Sequence, residues 1–224
     1  DQKPFVSLKT ENLPSAEDIY NNAKEQLSNR NIKKAKELFL YAKELDALRF
    51  RAPQQINNII KSLSQKYNYT IVNIDSVFES LSPDGIVGYN LMVDHLHPNI
   101  DGYRFIADEF YKSMEEKHLV PKGKKNQINS ATADSILIAN FPFTRLDSTI
   151  AKMQLIILTG QYPFVPKGTP NYKIKEYKIK DIVDSTSVEV INKDLRCESA
   201  HAKLSNYYFY KGDYDKCISE MEAV

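Results

Sequence analysis

The sequence is poor in cysteine, in net charge and in long apolar runs, and each shortage excludes a class of protein. Its 224 residues include 2 cysteines, too few for a disulfide framework, which a chain able to bury a sizeable core does not need. The 30 Lys and Arg residues balance 29 Asp and Glu residues, so no overall field attracts nucleic acid or an anionic membrane. No run approaches the roughly 18 apolar residues of a membrane span. The partner is therefore expected to be a small molecule or a protein.

Both ends of the sequence lack the usual terminal signals. Residues 1–5 contain neither an initiator methionine nor the apolar core of a signal peptide. Residues 220–224 stop inside a helical pattern, with no glycine or proline to end the helix. We therefore expect the sequence to be an internal piece of a longer protein.

Two segments combine helical spacing of apolar residues with a polar turn in the middle. They cover residues 16–46 and 200–224, and each predicts a pair of helices joined by a short turn. Aligning the two turns superposes Ser205 on Ala23 and Cys217 on Ala35, so small residues occupy matching positions. Two motifs resemble the tetratricopeptide repeat, Ala35-x-x-x-Phe39-x-x-Ala42 and Gly212-Asp213-Tyr214. An ordinary antiparallel helix pair is the alternative interpretation.

The segment between these hairpins has a mixed pattern. Residues 55–67 have the apolar period of an amphipathic helix, and residues 70–75 form a β-branched run typical of a buried strand. Residues 101–116 predict another helix, whose inward face is expected to carry Phe105, Ile106, Phe110 and Met114. Helix, strand, long loop and helix together predict an α/β layer. The fold class predicted for the whole chain is therefore mixed and helix-rich, an α/β part with all-α hairpins.

The region beyond Pro121 is less regular. Residues 146–158 have a helical pattern, residues 161–166 contain two prolines and predict a turn, and residues 172–179 alternate like an edge strand. We interpret residues 121–196 as a mixed connecting region before the second hairpin.

The densest cluster of reactive side chains lies after the predicted strand, in Asp94-His95-Leu96-His97-Pro98-Asn99. A serine hydrolase needs a base for the hydroxyl proton and a carboxylate that fixes the imidazole tautomer. An Asp three residues before a His can supply both groups from one turn, so Asp94 and His97 are the candidate catalytic residues. Pro98 should stiffen the loop, and Asn99 or Asp101 could cap the following helix.

The pattern Asp94-x-x-His97-Pro98-Asn99-x-x-Gly102-Tyr103-x-x-Ile106-Ala107 is similar to the last conserved block of the SGNH/GDSL hydrolases. The flanking segments, residues 1–5, 45–53 and 146–164, resemble bacterial proteins that insert a repeat-like hairpin into this hydrolase domain and append further repeats. The resemblance implies the carboxy-terminal part of a three-layer SGNH-like domain in residues 1–120, with the hairpin inserted at about 16–46. A tetratricopeptide-like repeat would then begin at residues 197–224.

The chain departs from this family in its nucleophile. The family takes its serine and its oxyanion-hole donors from blocks that precede this one, and no Gly-Asp-Ser occurs in the sequence. Ser76 follows Asp75 at the end of the predicted strand but lacks the glycine context, so we do not assign it as the nucleophile. The fragment alone is therefore expected to be inactive, since the oxyanion-hole donors alone contribute roughly 10²–10³ in rate.

Other interpretations of the His-rich loop stay open. Asp94 and His97 could form a capped helix start in which His97 only packs. His95 and His97, two residues apart and next to Asp94, could instead be metal ligands, although no further ligand cluster is evident in the sequence. His95 is otherwise expected to face the loop or a substrate, and His118 and His201 are interpreted as surface or packing residues.

The resemblance implies an ester substrate, such as an acyl group on a carbohydrate or a cell-envelope polymer. It also implies an extracytoplasmic or membrane-tethered location, and we expect no metal, no cofactor and no nucleic-acid partner. The alternative is a scaffold, in which the repeats bind a protein or peptide and the hydrolase fold is degenerate.

Overall fold

A computed structural model describes residues 3–121, 128–171 and 176–224, which divide into two compact units, Asp1–Lys125 and Asn126–Val224. Each unit is described by itself. The described helices of unit 1 are α1 (Ala16–Ser28), α2 (Ile32–Leu45), α3 (Gln54–Tyr67), α4 (Ile74–Leu81) and α5 (Ile100–Glu116), with a short 3₁₀ turn at Pro83–Gly85. Those of unit 2 are α6 (Ser130–Ala139), α7 (Arg145–Thr159), α8 (Ile182–Ile191), α9 (Cys197–Lys211) and α10 (Tyr214–Glu222).

Helices α1 and α2 form the helix pair predicted over residues 16–46. Ser15 caps α1, because its side chain accepts the backbone N–H of Asp18, and Arg30 turns the chain with a left-handed φ of 62°. Ala23 and Ala35 are fully buried, which lets the two helices approach closely. The resemblance of this pair to a tetratricopeptide repeat stays a prediction.

Replacing Ala35 with phenylalanine is expected to lower the free energy of unfolding by about 1–3 kcal/mol, because Ala35 is fully buried and a phenylalanine ring would overpack its surroundings. Urea denaturation would measure the change. Lys33→Phe, at an exposed position of the same helix, is the matched control and should have little effect. Equal stability of the two variants would contradict close packing at Ala35.

The predicted α/β layer is wrong. Residues 70–73 have no regular secondary structure and no partner strand, and Ile74 and Asp75 already belong to helix α4. The described residues contain no sheet. The strand-type pairing among them is an isolated bridge between Met92 and Pro98. A β-branched run forms a stable strand only when a neighbouring strand pairs with its backbone N–H and C=O groups. No segment of the described chain supplies one here.

The burial predicted for α5 is also partly wrong. Phe105 and Ile106 are half-buried, whereas Phe110 and Met114 are 49% and 40% exposed. Helix α3 is amphipathic as predicted, yet it has no buried residue. Helical period therefore identified the apolar faces but not whether another element covers them. No helix of the described ranges is long and apolar enough to cross a membrane.

Unit 2 has its core where α7, α8 and α9 meet. Its fully or nearly buried apolar residues are Leu146, Ile150, Val183, Ala200 and Leu204. Helix α7 confirms the helix predicted over 146–158. Of the edge strand predicted over 172–179, residues 172–175 lie outside the described residues, and 176–179 are not in a strand.

Helices α9 and α10 form the second predicted pair. Gly212 ends α9 with a left-handed φ of 76°, a conformation that glycine adopts without a steric penalty. The Ser205 hydroxyl lies 3.2 Å from both the carbonyl oxygen and the Sγ of Cys217. This contact confirms the close approach of the two helices that was predicted at Cys217.

Candidate active site

The candidate residues lie on a tight loop between Leu91 and Asn99. The loop is closed by backbone hydrogen bonds, from the N–H of Val93 to the carbonyl of His97 and from that of Asn99 to Leu91, both 2.9 Å. Pro98 restricts its own φ and favours extended backbone at His97. The sequence thus produces a closed loop that carries both Asp94 and His97.

The loop is joined rigidly to α5. Asn99 caps the helix, since its Oδ1 accepts the N–H of Gly102 at 2.9 Å, while its Nδ2 donates to the carbonyl of Asn90 at 3.0 Å. Asn99, one of the two predicted caps, therefore performs this role. Gly102 is buried, and a Cβ there would lie 2.4 Å from the carbonyl oxygen of Leu91 and 2.9 Å from Cβ of Pro98. Glycine is needed because the first turn of α5 packs directly on the loop.

Gly102→Ala is expected to force the loop away from α5. The added methyl would contact backbone that cannot move freely, so we expect a loss of about 1–3 kcal/mol in the free energy of unfolding. Urea denaturation measures it, and Asp101→Ala, at the exposed neighbouring position, is the control. An unchanged unfolding midpoint for Gly102→Ala would contradict the close packing.

Asp94 and His97 form a hydrogen-bonded dyad. Oδ2 of Asp94 lies 2.8 Å from Nδ1 of His97. The Asp94 side chain is 4% exposed and the His97 side chain 57% exposed. No hydrogen-bond partner for Nε2 of His97 is found among the described residues. The predicted juxtaposition is confirmed, with the carboxylate buried and the second ring nitrogen on an open surface.

Backbone hydrogen bonds hold Asp94 as a carboxylate. Its Oδ1 accepts the N–H groups of Leu96 and His97, both at 2.7 Å. Burial alone would raise the pKa of Asp94, but these two N–H groups and the His97 ring together hold that pKa below its usual value. An ionised Asp94 requires Nδ1 of His97 to donate, so neutral His97 keeps the lone pair on Nε2. That nitrogen is placed to accept a proton from a group approaching from solvent.

His95 points away from the open side of the loop. It is 8% exposed, its Nε2 lies 2.7 Å from the carbonyl oxygen of Lys3, and its ring stacks on Phe5 with centroids 3.8 Å apart. Burial lowers the pKa of the imidazole, which favours a neutral ring that donates through Nε2. Of the two roles expected for His95, that of a loop residue agrees with its position, and that of a substrate-facing residue is wrong.

The structure does not bring His95 and His97 together as metal ligands. Their rings turn to different partners, Lys3 and Asp94. Within the described ranges, no group of three or more His, Cys, Asp or Glu side chains is arranged to hold a metal ion. Ser76 lies on α4, where its hydroxyl is 2.7 Å from Nδ2 of Asn73, so its predicted position at a strand end is also lost.

A second histidine–carboxylate cluster lies in unit 2, where sequence reasoning found none. His201 is 3% exposed, and its Nδ1 lies 2.7 Å from Oε2 of Glu220 while its Nε2 lies 3.3 Å from Oδ1 of Asp147. The cluster joins α7, α9 and α10. His201 is therefore a buried packing residue, one of the two roles expected for it, and it also has carboxylate partners that the sequence did not reveal.

Comparison with known proteins gives one family for the region that carries the dyad. Residues 5–110 match the model of the GDSL-like lipase/acylhydrolase family. The matched range includes the candidate loop and both dyad residues, and it supports an ester hydrolase at the level of reaction class. It confirms the resemblance to the GDSL hydrolases, whereas the bacterial origin stays a prediction. No curated protein and no solved structure matches the chain.

Proposed function

We propose that Asp94 and His97 are the carboxylate and the general base of a serine ester hydrolase. The observation that carries the proposal is the dyad itself. Nδ1 of His97 makes a 2.8 Å hydrogen bond to the buried Asp94 carboxylate, while the rest of the His97 ring is exposed. The family match over residues 5–110 supports the same reaction class. An exposed imidazole that only packed against its loop would not require a buried carboxylate at Nδ1.

The nucleophile and the oxyanion-hole donors come from polypeptide outside residues 1–224. The sequence contains no Gly-Asp-Ser, and no serine hydroxyl within the described residues reaches Nε2 of His97. The substrate class is an ester, and an O-acyl group on a carbohydrate or cell-envelope polymer fits an exposed base on an open surface. Such a substrate is too large for an enclosed pocket.

The proposed reaction follows from the proton positions in the dyad. As the serine Oγ attacks the acyl carbonyl, Nε2 of His97 takes the hydroxyl proton, and Asp94 stabilises the imidazolium that forms. His97 then gives that proton to the leaving alkoxide, which departs as an alcohol and leaves an acyl-enzyme. A water molecule, deprotonated by the same Nε2, then attacks the acyl carbonyl. As the bond to the serine Oγ breaks and the acid leaves, Nε2 returns the proton to Oγ.

A fluorophosphonate probe tests this proposal without knowledge of the substrate, because it reacts only with an activated serine. The expected result is one labelled serine in the protein that joins this chain to its upstream blocks, and no labelling of residues 1–224 alone. Mass spectrometry of the labelled peptide identifies the serine. Absence of labelling in the longer protein would overturn the proposal and favour the scaffold, while a label on a serine within 1–224 would overturn the external nucleophile.

A further inference from the structure

Asp46 anchors the amino-terminal strap, defined here as residues 3–7. Its carboxylate is buried, at 4% exposure, just beyond the end of α2. Oδ2 accepts the backbone N–H of Phe5 at 2.8 Å, and Oδ1 accepts that of Val6 at 3.0 Å. The N–H of Ala47 donates back to the carbonyl of Val6 at 3.0 Å. Hydrogen bonds to an ionised acceptor are roughly twice as strong as neutral ones, so the strap is held firmly at this point.

The strap in turn holds His95. The ring of Phe5 stacks on the His95 ring at 3.8 Å and packs edge-on against Phe50 at 5.2 Å. The carbonyl of Lys3 accepts a hydrogen bond from Nε2 of His95 at 2.7 Å. Two contacts of different kinds therefore fix both the plane and the rotation of this imidazole.

His95 lies between the residues that shape the dyad. Its neighbours along the chain are Asp94 and Leu96, and the N–H of Leu96 donates to Oδ1 of Asp94 at 2.7 Å. A displacement of the His95 backbone would turn Asp94 and lengthen its hydrogen bond to His97. His95 itself is buried and does not reach the open side of the loop.

We propose that Asp46 and His95 are positioning residues, which act through the amino-terminal strap to hold the Asp94 carboxylate in hydrogen-bonding distance of His97. The inference rests on the proposed function of that dyad. The strap links Asp46 to a loop about fifty residues further along the chain, where it contacts His95, the residue next to Asp94. Neither residue touches the substrate.

The first test is spectroscopic and needs no activity. In the ¹⁵N-labelled 224-residue chain, we expect the Nδ1 proton of His97 to give a downfield signal protected from exchange. Asp46→Asn should broaden or remove this signal, because the amide can accept fewer of the strap N–H groups. His95→Phe, which keeps the ring stack but loses the donor to Lys3, should do the same. His95→Gln keeps an N–H donor and should largely restore the signal.

The second test separates positioning from binding in the protein that carries the serine. Asp46→Asn and His95→Phe are expected to lower kcat for a chromogenic acetyl ester about 10- to 100-fold, with KM changed by less than about threefold. Asp108→Asn, an exposed carboxylate on α5, is the matched control and should leave both constants unchanged. Far-UV circular dichroism of each variant checks that the helices persist.

Two results would overturn the inference. One is that Asp46→Asn and His95→Phe fold correctly and yet show the same His97 signal and the same kcat as Asp108→Asn. The other is that His95→Phe and His95→Gln lose the His97 signal and kcat to the same extent, in step with a lower melting temperature. That result would indicate a purely structural role for His95. If the unaltered protein shows the His97 signal but never reacts with a fluorophosphonate, the proposed function fails while the spectroscopic test of positioning still stands.

Discussion

His97→Ala is expected to lower kcat/KM for ester hydrolysis by about 10⁶-fold in the protein that joins this chain to its serine, because proton transfer then has no base. Asp94→Asn should cost about 10⁴-fold, since the amide no longer requires Nδ1 of His97 to carry the proton and the ring can take the wrong tautomer. Steady-state kinetics with a chromogenic ester measure both effects.

The control for these variants is His118→Asn, an exposed histidine of unit 1 with a left-handed φ of 56°. Asparagine tolerates this conformation, so the control should keep full activity and stability. Activity of His97→Ala within tenfold of this control would show that the dyad is not the base. Activity that disappears with a chelator and returns with zinc would instead support metal chemistry.

His201→Leu is expected to destabilise unit 2 by about 3–5 kcal/mol, because it leaves the carboxylate of Glu220 buried without its partner. Both residues of this pair are 3% exposed. Hydrogen exchange of residues 197–222 as a function of urea concentration would measure the free energy of opening of α9 and α10.

Two comparisons make the His201 result specific. Lys203 lies on the same helix as His201, and Lys203→Met removes its partly exposed ion pair with Glu189 of α8. This change should cost less than about 1 kcal/mol. The double variant His201→Leu/Glu220→Leu removes the imidazole and the carboxylate together and should recover much of the loss. If the double variant is as unstable as the single one, lost packing rather than an unpaired charge explains the effect.

The sequence predicted those features that depend on residues close together in the chain. The dyad spacing of Asp94 and His97, the cap at Asn99 and the helix pair around Ala35 all involve contacts within a turn or across a short loop. Their geometry is determined locally, by hydrogen bonds that an Asp side chain accepts from backbone N–H groups two and three residues on, or by small residues at helical spacing.

Features that depend on distant parts of the chain could not be predicted. Ile71 and Val72 are suited to a strand, but a strand also needs partners, which the described residues do not provide. Phe110 is on the apolar face of α5, yet apolar period does not tell whether that face is covered. Asp46 lies about forty residues from the strap, from whose N–H groups it accepts hydrogen bonds. His201 lies 19 residues from Glu220. No local spacing signals such pairs.

The rate at which a fluorophosphonate labels the serine, compared between the unaltered protein and His97→Ala, tests the central claim most directly. The probe needs an activated hydroxyl but no particular substrate, so the comparison isolates the base. A functional Asp94–His97 dyad predicts that labelling slows by at least about 10³-fold in His97→Ala and stays unchanged in His118→Asn. Equal labelling rates in the unaltered protein and in His97→Ala would contradict the assignment of this dyad as the catalytic base.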